Sequence, residues 1–450
     1  MSIKKISLMA ILALSSIGTL AACNGEGDDS TGGSQGGDHS GKIILAGPTE
    51  AGNFTLEHAR EWNEANDYNY TFEFQVHGED KITTEVNDFS ASTAPDIFMY
   101  ANDGQPGLLQ KKVISAIPDS NVEAMSGYGI ADAFLDSVTF DDVVYGYPYT
   151  SNSYCFWYNK DKAEMYVKEP SKYLPASMQD RTDYTDWTMR EWCEVAAKNS
   201  QSVAYDINNG FYNAPLLCSY DKQAKWVCNY DRNGTLQSVV CETADDNGLK
   251  VAKNMIRWVA TGGLIEDLTV APYNGSNVLA NINGAWSLTT TTGAPSDFAA
   301  EEVQCLPLPD LDNGALDERT PMYAFTGSKA MGVNALKDSN PVRVNDLHSL
   351  ALHLVSPDVQ TARYAFNNSW LPSSNQATAE GSKCNEALNL VMQNAIAQAN
   401  LPQALWDATG ALGNQFYGAD GSATLTPEST DEQIMAALAA FDTQMETVNA

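Results

Sequence analysis

The sequence predicts an α/β protein built from two large lobes. Short apolar segments that suit buried strands alternate with amphipathic segments from Lys42 onward, a pattern that favours mostly parallel sheets covered by helices. The chain beyond residue 41 has about 410 residues, more than one hydrophobic core usually serves, so we expect two lobes. A content of 43% hydrophobic and 18% charged residues is typical of a globular protein rather than a disordered one.

Strands are predicted from apolar runs and from alternation. Residues 43–46 and 95–100 are short apolar runs, and residues 70–76 alternate between the two faces of a strand. Two further segments, 138–147 and 226–241, read as hairpins with turns at Asp141-Asp142 and at Asp231–Gly234.

Helices are predicted where apolar residues recur every three or four positions. Thr188 and Glu191 have the spacing of a capping box, which marks a helix start. The predicted helices cover residues 55–64, 188–197, 247–261, 344–354, 359–366 and 431–448.

The first 23 residues have the features of a secretion signal. Lys4 and Lys5 precede an almost unbroken apolar or small run over residues 6–20, which is too short for a transmembrane helix. The run ends in Leu20-Ala21-Ala22-Cys23, which resembles a bacterial lipobox, where the cysteine thiol accepts a lipid. Residues 24–41 are rich in Gly, Ser and Asp and are predicted to be a flexible tether.

The charge of the chain bears on the kind of partner it can bind. A net charge of −31 argues against nucleic acid as a partner.

With Cys23 assigned to the lipid, seven cysteines remain, so at least one thiol stays free. Cys218, Cys228 and Cys241 are close enough in sequence for one local disulfide, and buried free thiols are the equal alternative. Neither the cysteines nor the five histidines show metal-ligand spacing, so we expect no metal and no cofactor.

Six segments of the body, taken in chain order, carry a resemblance: residues 94–103, 147–161, 209–217, 283–286, 330–336 and 370–373. They resemble segments of the bacterial extracellular solute-binding proteins of the maltose and maltodextrin type, which serve ABC importers. The resemblance implies the fold of periplasmic binding proteins, in which two α/β lobes close like a hinge around a ligand.

The resemblance also implies where the chain crosses between lobes. Crossings are expected near residues 148–154, 322–328 and 372–380. Lobe one is then 42–150 with 326–375, and lobe two is 151–325 with 376–450.

The predicted site begins at the ends of strands. Ligands of open α/β sheets bind outside the carboxyl ends of the strands, and Glu50 follows the first strand while Tyr100 and Asp103 end the third. A sugar needs an aromatic face, which Tyr100 offers, and acceptors for its hydroxyls, which Asp103 offers.

Other site residues are implied by the resemblance. Trp286 matches the family's sugar-stacking tryptophan and Phe211 and Tyr212 its paired aromatics, of which we expect at least one to pack internally. Trp406 matches a second stacking tryptophan, with a role in the helix core as the alternative. Asn152 lies in the crossover strand.

The chain departs from the family pattern at charged positions. Gly104 and Gly410 replace arginines, and Asn152 and Asn209 replace glutamates. The stacking residues persist while the charged groups are lost, so an oligosaccharide such as a maltodextrin is expected rather than maltose itself.

The predicted function is that of a monomeric sugar-binding lipoprotein, anchored on the outer face of the cell membrane, which delivers its ligand to ABC permease subunits. It is not expected to be an enzyme. One alternative is a lipid-anchored carbohydrate-active enzyme, which needs two carboxyl groups roughly 5–10 Å apart. The other is the same fold binding a peptide or a polyol phosphate.

Overall fold

A computed structural model describes residues 38–290, 294–312, 319–398, 403–418 and 423–447. The predicted signal peptide, Cys23 and the tether up to residue 37 lie outside this range. The predicted end of the tether at residue 41 is wrong, because Ser40 and Gly41 already belong to the first strand. Among the described helices, none combines the length and the apolar character that crossing a bilayer requires.

The strands of the described residues are numbered in chain order. They are β1 (Ser40–Gly47), β2 (Asn69–Val76), β3 (Ile97–Ala101), β4 (Thr139–Phe140), β5 (Val143–Val144), β6 (Tyr147–Ser151), β7 (Tyr154–Asn159), β8 (Ser202–Ala204), β9 (Trp226–Tyr230), β10 (Leu236–Cys241), β11 (Leu264–Ile265), β12 (Val278–Gly284), β13 (Val303–Leu306), β14 (Asp310–Asp312), β15 (Arg319–Pro321), β16 (Ala324–Thr326), β17 (Ser328–Val333) and β18 (Ala395–Ala397).

The α-helices are numbered in the same way. They are α1 (Gly52–Ala65), α2 (Ile82–Glu85), α3 (Gln105–Gln110), α4 (Asp119–Gly127), α5 (Asp132–Ser137), α6 (Lys160–Lys168), α7 (Pro170–Tyr173), α8 (Met189–Lys198), α9 (Gly210–Leu216), α10 (Asp246–Ala260), α11 (Pro341–Leu354), α12 (Pro357–Phe366), α13 (Asn385–Met392), α14 (Gln403–Phe416) and α15 (Asp431–Thr447).

Two five-stranded sheets form the centres of the two lobes. The first sheet has the strand order β2-β1-β3-β17-β6, and the second has the order β11-β8-β12-β7-β13. Both are covered by helices, and the strands at their centres are buried on both faces, as all five residues of β3 are. The two-lobed α/β architecture expected from the sequence is therefore present.

The sheets are mixed rather than mostly parallel. In the first sheet β1 pairs in parallel with β2 and β3, but β17 is antiparallel to both β3 and β6. In the second sheet β7 is antiparallel to β12 and β13. Strands β7 and β17 enter their sheets directly from the crossings between lobes, so the direction of each is set by the crossing and not by a helical connection.

The two hairpins and the capping box predicted from the sequence are present in the structure. Strands β4 and β5 form the first predicted hairpin, and Asp141 and Asp142 have φ angles of 49° and 62°, as a type I′ turn requires. Strands β9 and β10 form the second. Helix α8 begins with the full capping box, in which Thr188 and Glu191 bond each other's backbone N–H.

The chain passes between the sheets through very short segments. Asn152 and Ser153 connect β6 of the first sheet to β7 of the second. Gly327 connects β17 of the first sheet to β16, which forms a separate two-stranded sheet with β18. These two crossings are bonded to each other, since the Asn152 backbone N–H donates to the Gly327 carbonyl oxygen at 2.9 Å. The lobe boundaries stated from the resemblance stay a prediction.

Three hydrophobic clusters stabilise the lobes. One large cluster surrounds the second sheet, and two smaller clusters lie on opposite faces of the first. The seven cysteines from Cys155 to Cys384 are free thiols, five of them buried, so no disulfide links Cys218, Cys228 and Cys241.

Candidate functional site

A cavity of about 900 Å³ opens between the two lobes, a size that suits a small-molecule ligand. The first lobe contributes one set of lining residues: Glu79, Asp80, Ala101, Asp103 and Lys329. Asn152 and Gln398 line it at the crossings. The second lobe contributes the rest: Asp206, Asn208, Asn209, Gly210, Phe211, Tyr212, Trp286, Trp406, Asp407, Gly410, Ala411 and Asn414.

The wall from the first lobe is polar and internally bonded. Glu79 and Asp80 lie in the loop that follows β2, and Lys329 lies in β17. The Lys329 ammonium lies 2.7 Å from one carboxylate oxygen of Glu79, and the Tyr149 hydroxyl donates to the other oxygen. Glu79 is therefore held in place by two side chains. The positive charge of Lys329 is already balanced by the Glu79 carboxylate.

Asp103 is the unusual carboxyl group of this wall. It directly follows β3 and lines the cavity. Burial raises the pKa of Asp103 to about 6, and the nearby Asp80 carboxylate adds to the increase. A carboxyl group with this pKa carries a proton for part of the time near neutral pH and can then donate as well as accept a hydrogen bond.

The wall from the second lobe presents aromatic rings. Trp286 follows β12 and is partly exposed, with its ring lying across Gly284. A Cβ atom at Gly284 would collide with this ring, so only glycine fits at this position. The Phe211 ring centre lies 6.1 Å from that of Trp286, so the two rings form one apolar surface.

Helices α9 and α14 carry the other aromatic residues of this wall. The Asn209 side chain caps α9 by accepting a hydrogen bond of 3.0 Å from the Phe211 backbone N–H. Three glycines allow the close packing of α14 here. A Cβ atom at Gly210 would collide with the Thr409 side chain, and Cβ atoms at Gly410 and Gly413 would collide with backbone carbonyl oxygens of the segment before α9. This close packing sets the position of Trp406 on α14.

An amide pair lines the cavity at the crossings. Asn152 Nδ2 donates to Gln398 Oε1 at 2.9 Å, and the Gln398 backbone N–H donates to the Thr326 carbonyl at 2.7 Å. Both side chains are buried, so the amide groups are held in fixed directions toward the cavity. Fixed amides of this kind suit hydroxyl groups of a ligand.

The described lining is strongly acidic. Five carboxyl groups, from Glu79, Asp80, Asp103, Asp206 and Asp407, face the cavity against the single ammonium of Lys329. Burial also raises the pKa of Asp206 above its usual range. Such a field repels anionic ligands and accepts neutral or cationic ones.

The structure brings together six of the eight residues predicted from the sequence. Asp103, Asn152, Phe211, Tyr212, Trp286 and Trp406 all line the cavity. Tyr212 is only 6% exposed and its ring packs 4.7 Å from that of Tyr154, so it is the member of the aromatic pair that lies internally.

Tyr100 does not reach the cavity, contrary to the sequence-based expectation. Its side chain is fully buried on the α3 side of the first sheet, next to Phe98, and its hydroxyl donates to Gln105 Oε1 at 2.9 Å. Residues of β3 point alternately to the two buried faces of the sheet, and Tyr100 belongs to the face that Phe98 shares.

Glu50 is likewise outside the cavity lining. It lies in a short 3₁₀ turn before α1. Burial raises the pKa of Glu50, and the neighbouring carboxylate of Glu79 adds to the increase. The glutamate that lines the cavity is instead Glu79, in the loop after β2.

Several lining residues were missed by sequence reasoning. Glu79 and Asp80 follow β2, so the rule that ligands bind at the carboxyl ends of strands could have identified them. Asp206 lies in the loop after β8 and obeys the same rule. Lys329 and Gln398 had no such signal. Lys329 lies in β17 just after the crossing at Gly327, and Gln398 directly follows β18, so the place of each depends on the tertiary structure.

Solved structures with a similar fold are sugar-binding proteins by their own descriptions. A maltodextrin-binding protein from L. casei has a TM-score of 0.67 and 16% identity, covering 91% of this chain and 100% of that chain. A cyclo/maltodextrin-binding protein complexed with maltotetraose has a TM-score of 0.65 and 16% identity, with coverage of 93% and 100%. The GacH receptor of Streptomyces glaucescens, studied with acarbose, has a TM-score of 0.63 and 13% identity, with coverage of 91% and 100%.

These likenesses establish the fold. No curated protein is significantly similar to this chain in sequence. The sequence profile of the bacterial extracellular solute-binding proteins matches residues 57–388, which is most of the chain, and this protein therefore belongs to that family.

Proposed function

We propose that this protein is the substrate-binding lipoprotein of an ABC importer and that its ligand is an oligosaccharide such as a maltodextrin. As a member of its family, the protein captures a solute outside the cytoplasm. The sugar, the permease and the lipid anchor are the added parts of the proposal.

The observation that carries the sugar assignment is that the aromatic side chains of the cavity all come from the second lobe and lie opposite a mainly polar wall from the first lobe. Trp286, Phe211 and Trp406 offer flat apolar faces for the C–H surfaces of sugar rings. Asp103 and the fixed amides of Asn152 and Gln398 offer partners for hydroxyl groups. Small-ligand sites combine apolar or aromatic faces with fixed polar groups, and this cavity contains both.

The charge of the cavity argues against the phosphorylated alternative. A polyol phosphate would need unpaired Arg or Lys side chains near its phosphate. The described lining has only Lys329, whose ammonium already pairs with Glu79 at 2.7 Å. A neutral sugar does not meet this difficulty.

Membrane attachment would come from the lipobox-like residues that end in Cys23. Delivery to a permease requires that the protein stay near the membrane, and a thiol-linked lipid with a flexible tether would provide this. Replacing Cys23 by Ser should release the protein from membranes. Retention of the Cys23→Ser protein in the membrane fraction would contradict the lipid-anchor proposal.

Ligand binding is tested by isothermal titration calorimetry over a panel of gluco-oligosaccharides, other oligosaccharides, peptides and sugar phosphates. We expect saturable binding of at least one neutral oligosaccharide and none of the phosphorylated sugars. Binding confined to peptides would contradict the sugar assignment. The bound sugar is then analysed for cleavage, because hydrolysis would favour the enzyme alternative instead.

A further inference from the structure

Outside the ligand cavity, two histidines and a glutamate meet between helices α1 and α11. His58 and Glu61 are one turn apart on α1, and His353 lies in the last turn of α11. One potential ligand atom from each residue lies within 4.8 Å of the other two. No other group of three such side chains meets this condition among the described residues.

Two ring nitrogens of this group are buried without hydrogen-bond partners. They are Nδ1 of His58 and Nε2 of His353. A glutamate oxygen lies 2.7 Å from His58 Nδ1 but without the alignment of a hydrogen bond. Buried polar atoms in proteins almost always have partners, so two unpaired imidazole nitrogens in one place require an explanation.

An ordinary helix ion pair does not explain the arrangement. His58 and Glu61 have the spacing of such a pair, but a pair alone would leave His353 Nε2 without a partner. Elsewhere in the chain, His77 Nδ1 and Glu85 form a conventional hydrogen bond of 3.0 Å. The contact between His58 and Glu61 lacks this alignment.

We propose that His58, Glu61 and His353 bind a Zn²⁺ ion that links α1 to α11. Two imidazole nitrogens and a carboxylate oxygen are a known zinc ligand set, with water completing the coordination. Zinc bonds of ~2.0–2.2 Å in tetrahedral geometry place ligand atoms ~3.5 Å apart, so small side-chain rotations would suffice. The Glu61 side chain is 56% exposed, which leaves a route for the ion to enter.

Such an ion would act away from the ligand cavity, since none of the three residues lines it. Helices α1 and α11 already contact each other through a hydrogen bond of 3.2 Å from Trp62 Nε1 to Ser349. A second, metal-mediated link would stabilise the helical layer on this face of the first sheet. The zinc proposal does not depend on the identity of the solute.

The test is a Zn²⁺ titration of the chelator-treated full-length protein by isothermal titration calorimetry. We expect one saturable site in the natural protein, with Glu61→Gln and His353→Ala each weakening the affinity at least ~10-fold. Glu61 is exposed, so Glu61→Gln tests the site even if His353→Ala weakens the fold. His77→Ala is the matched control, because His77 also lies beside a glutamate but has no third ligand.

Thermal melting gives a second measurement. Zn²⁺ should raise the melting temperature of the natural protein and of His77→Ala, and this increase should shrink in the two site variants. All four proteins keep the same seven body cysteines, so zinc bound by thiols would contribute equally to each. Equal zinc affinity in all four proteins, or no zinc binding by the natural protein, would overturn the proposal.

Discussion

The two walls of the ligand cavity differ in how their aromatic residues are used. All four aromatic lining residues come from the second lobe, whereas the first lobe contributes carboxylates and Lys329. The first lobe has tyrosines near the cavity as well, but Tyr100 and Tyr149 are turned inward and fully buried. The second lobe therefore provides all of the aromatic surface together with polar groups such as Asp206 and Asp407, whereas the lining from the first lobe is mainly polar. This combination suits a ligand with apolar faces and hydroxyl edges.

This division makes opposite predictions for aromatic residues in the two lobes. Removing a first-lobe aromatic should reduce stability and spare affinity, and removing a second-lobe aromatic should do the reverse. The largest expected effect belongs to the first lobe.

Tyr100→Ala should lower the free energy of unfolding by about 3–5 kcal/mol, because it leaves a cavity in a fully buried cluster. The affinity of the remaining folded protein for its ligand should change little. Chemical denaturation and calorimetric binding on the same sample measure both quantities.

Tyr100→Phe is the control for this substitution. It keeps the ring and removes only the hydrogen bond to Gln105, so a loss of about 1 kcal/mol is expected. A strong loss of affinity in Tyr100→Ala with unchanged stability would return Tyr100 to the ligand site.

Trp286→Ala should weaken sugar binding by ~2 kcal/mol or more, which is roughly 25-fold or more in the dissociation constant. The ring is partly exposed, so the melting temperature should fall much less than in Tyr100→Ala. Trp286→Phe keeps an aromatic face and should retain most of the affinity. A large drop in melting temperature with unchanged affinity would show that Trp286 is a core residue.

A smaller effect is expected from the pH dependence of the polar wall. The pKa of Asp103 in the folded protein is about 6, above its usual value of 3.8, so the folded state binds the proton more tightly than the unfolded state. The free energy of unfolding should therefore fall by on the order of 1 kcal/mol as pH rises from about 4 to 6. This figure allows for the partial solvent exposure of Asp103.

Asp103→Asn should remove this part of the pH dependence. Asp142→Asn is a suitable control, because it removes one exposed carboxylate from a turn. Urea denaturation at several pH values measures the effect. The same fall in stability in Asp103→Asn as in the natural protein would show that other groups cause it.

The strand-end rule predicted Asp103, and the family resemblance predicted Trp286, Phe211 and Trp406; all four line the cavity, because these signals are local in sequence. Their roles in ligand binding stay predictions. Tyr100 was misplaced because β3 is buried on both faces, so its apolar sequence does not show which face each residue occupies.

Other parts of the site depend on tertiary structure. Lys329 and Gln398 lie hundreds of residues from Glu79 and Asn152, the partners they meet. The antiparallel direction of β17 could not be read from its sequence either, because it follows from the crossing at Gly327.

The glycine-mediated contact of α9 with α14 has a consequence for how ligand preference could change. Gly410 and Gly413 lie against backbone carbonyl oxygens of the segment before α9, and Gly210 lies against the Thr409 side chain, so the spacing between Phe211 and Trp406 cannot be adjusted by gradual changes in side-chain size. Any larger residue there would displace both rings at once. Selection for a longer or shorter ligand would therefore act first on the loops after β2 and β12, where single substitutions change the cavity without moving a helix.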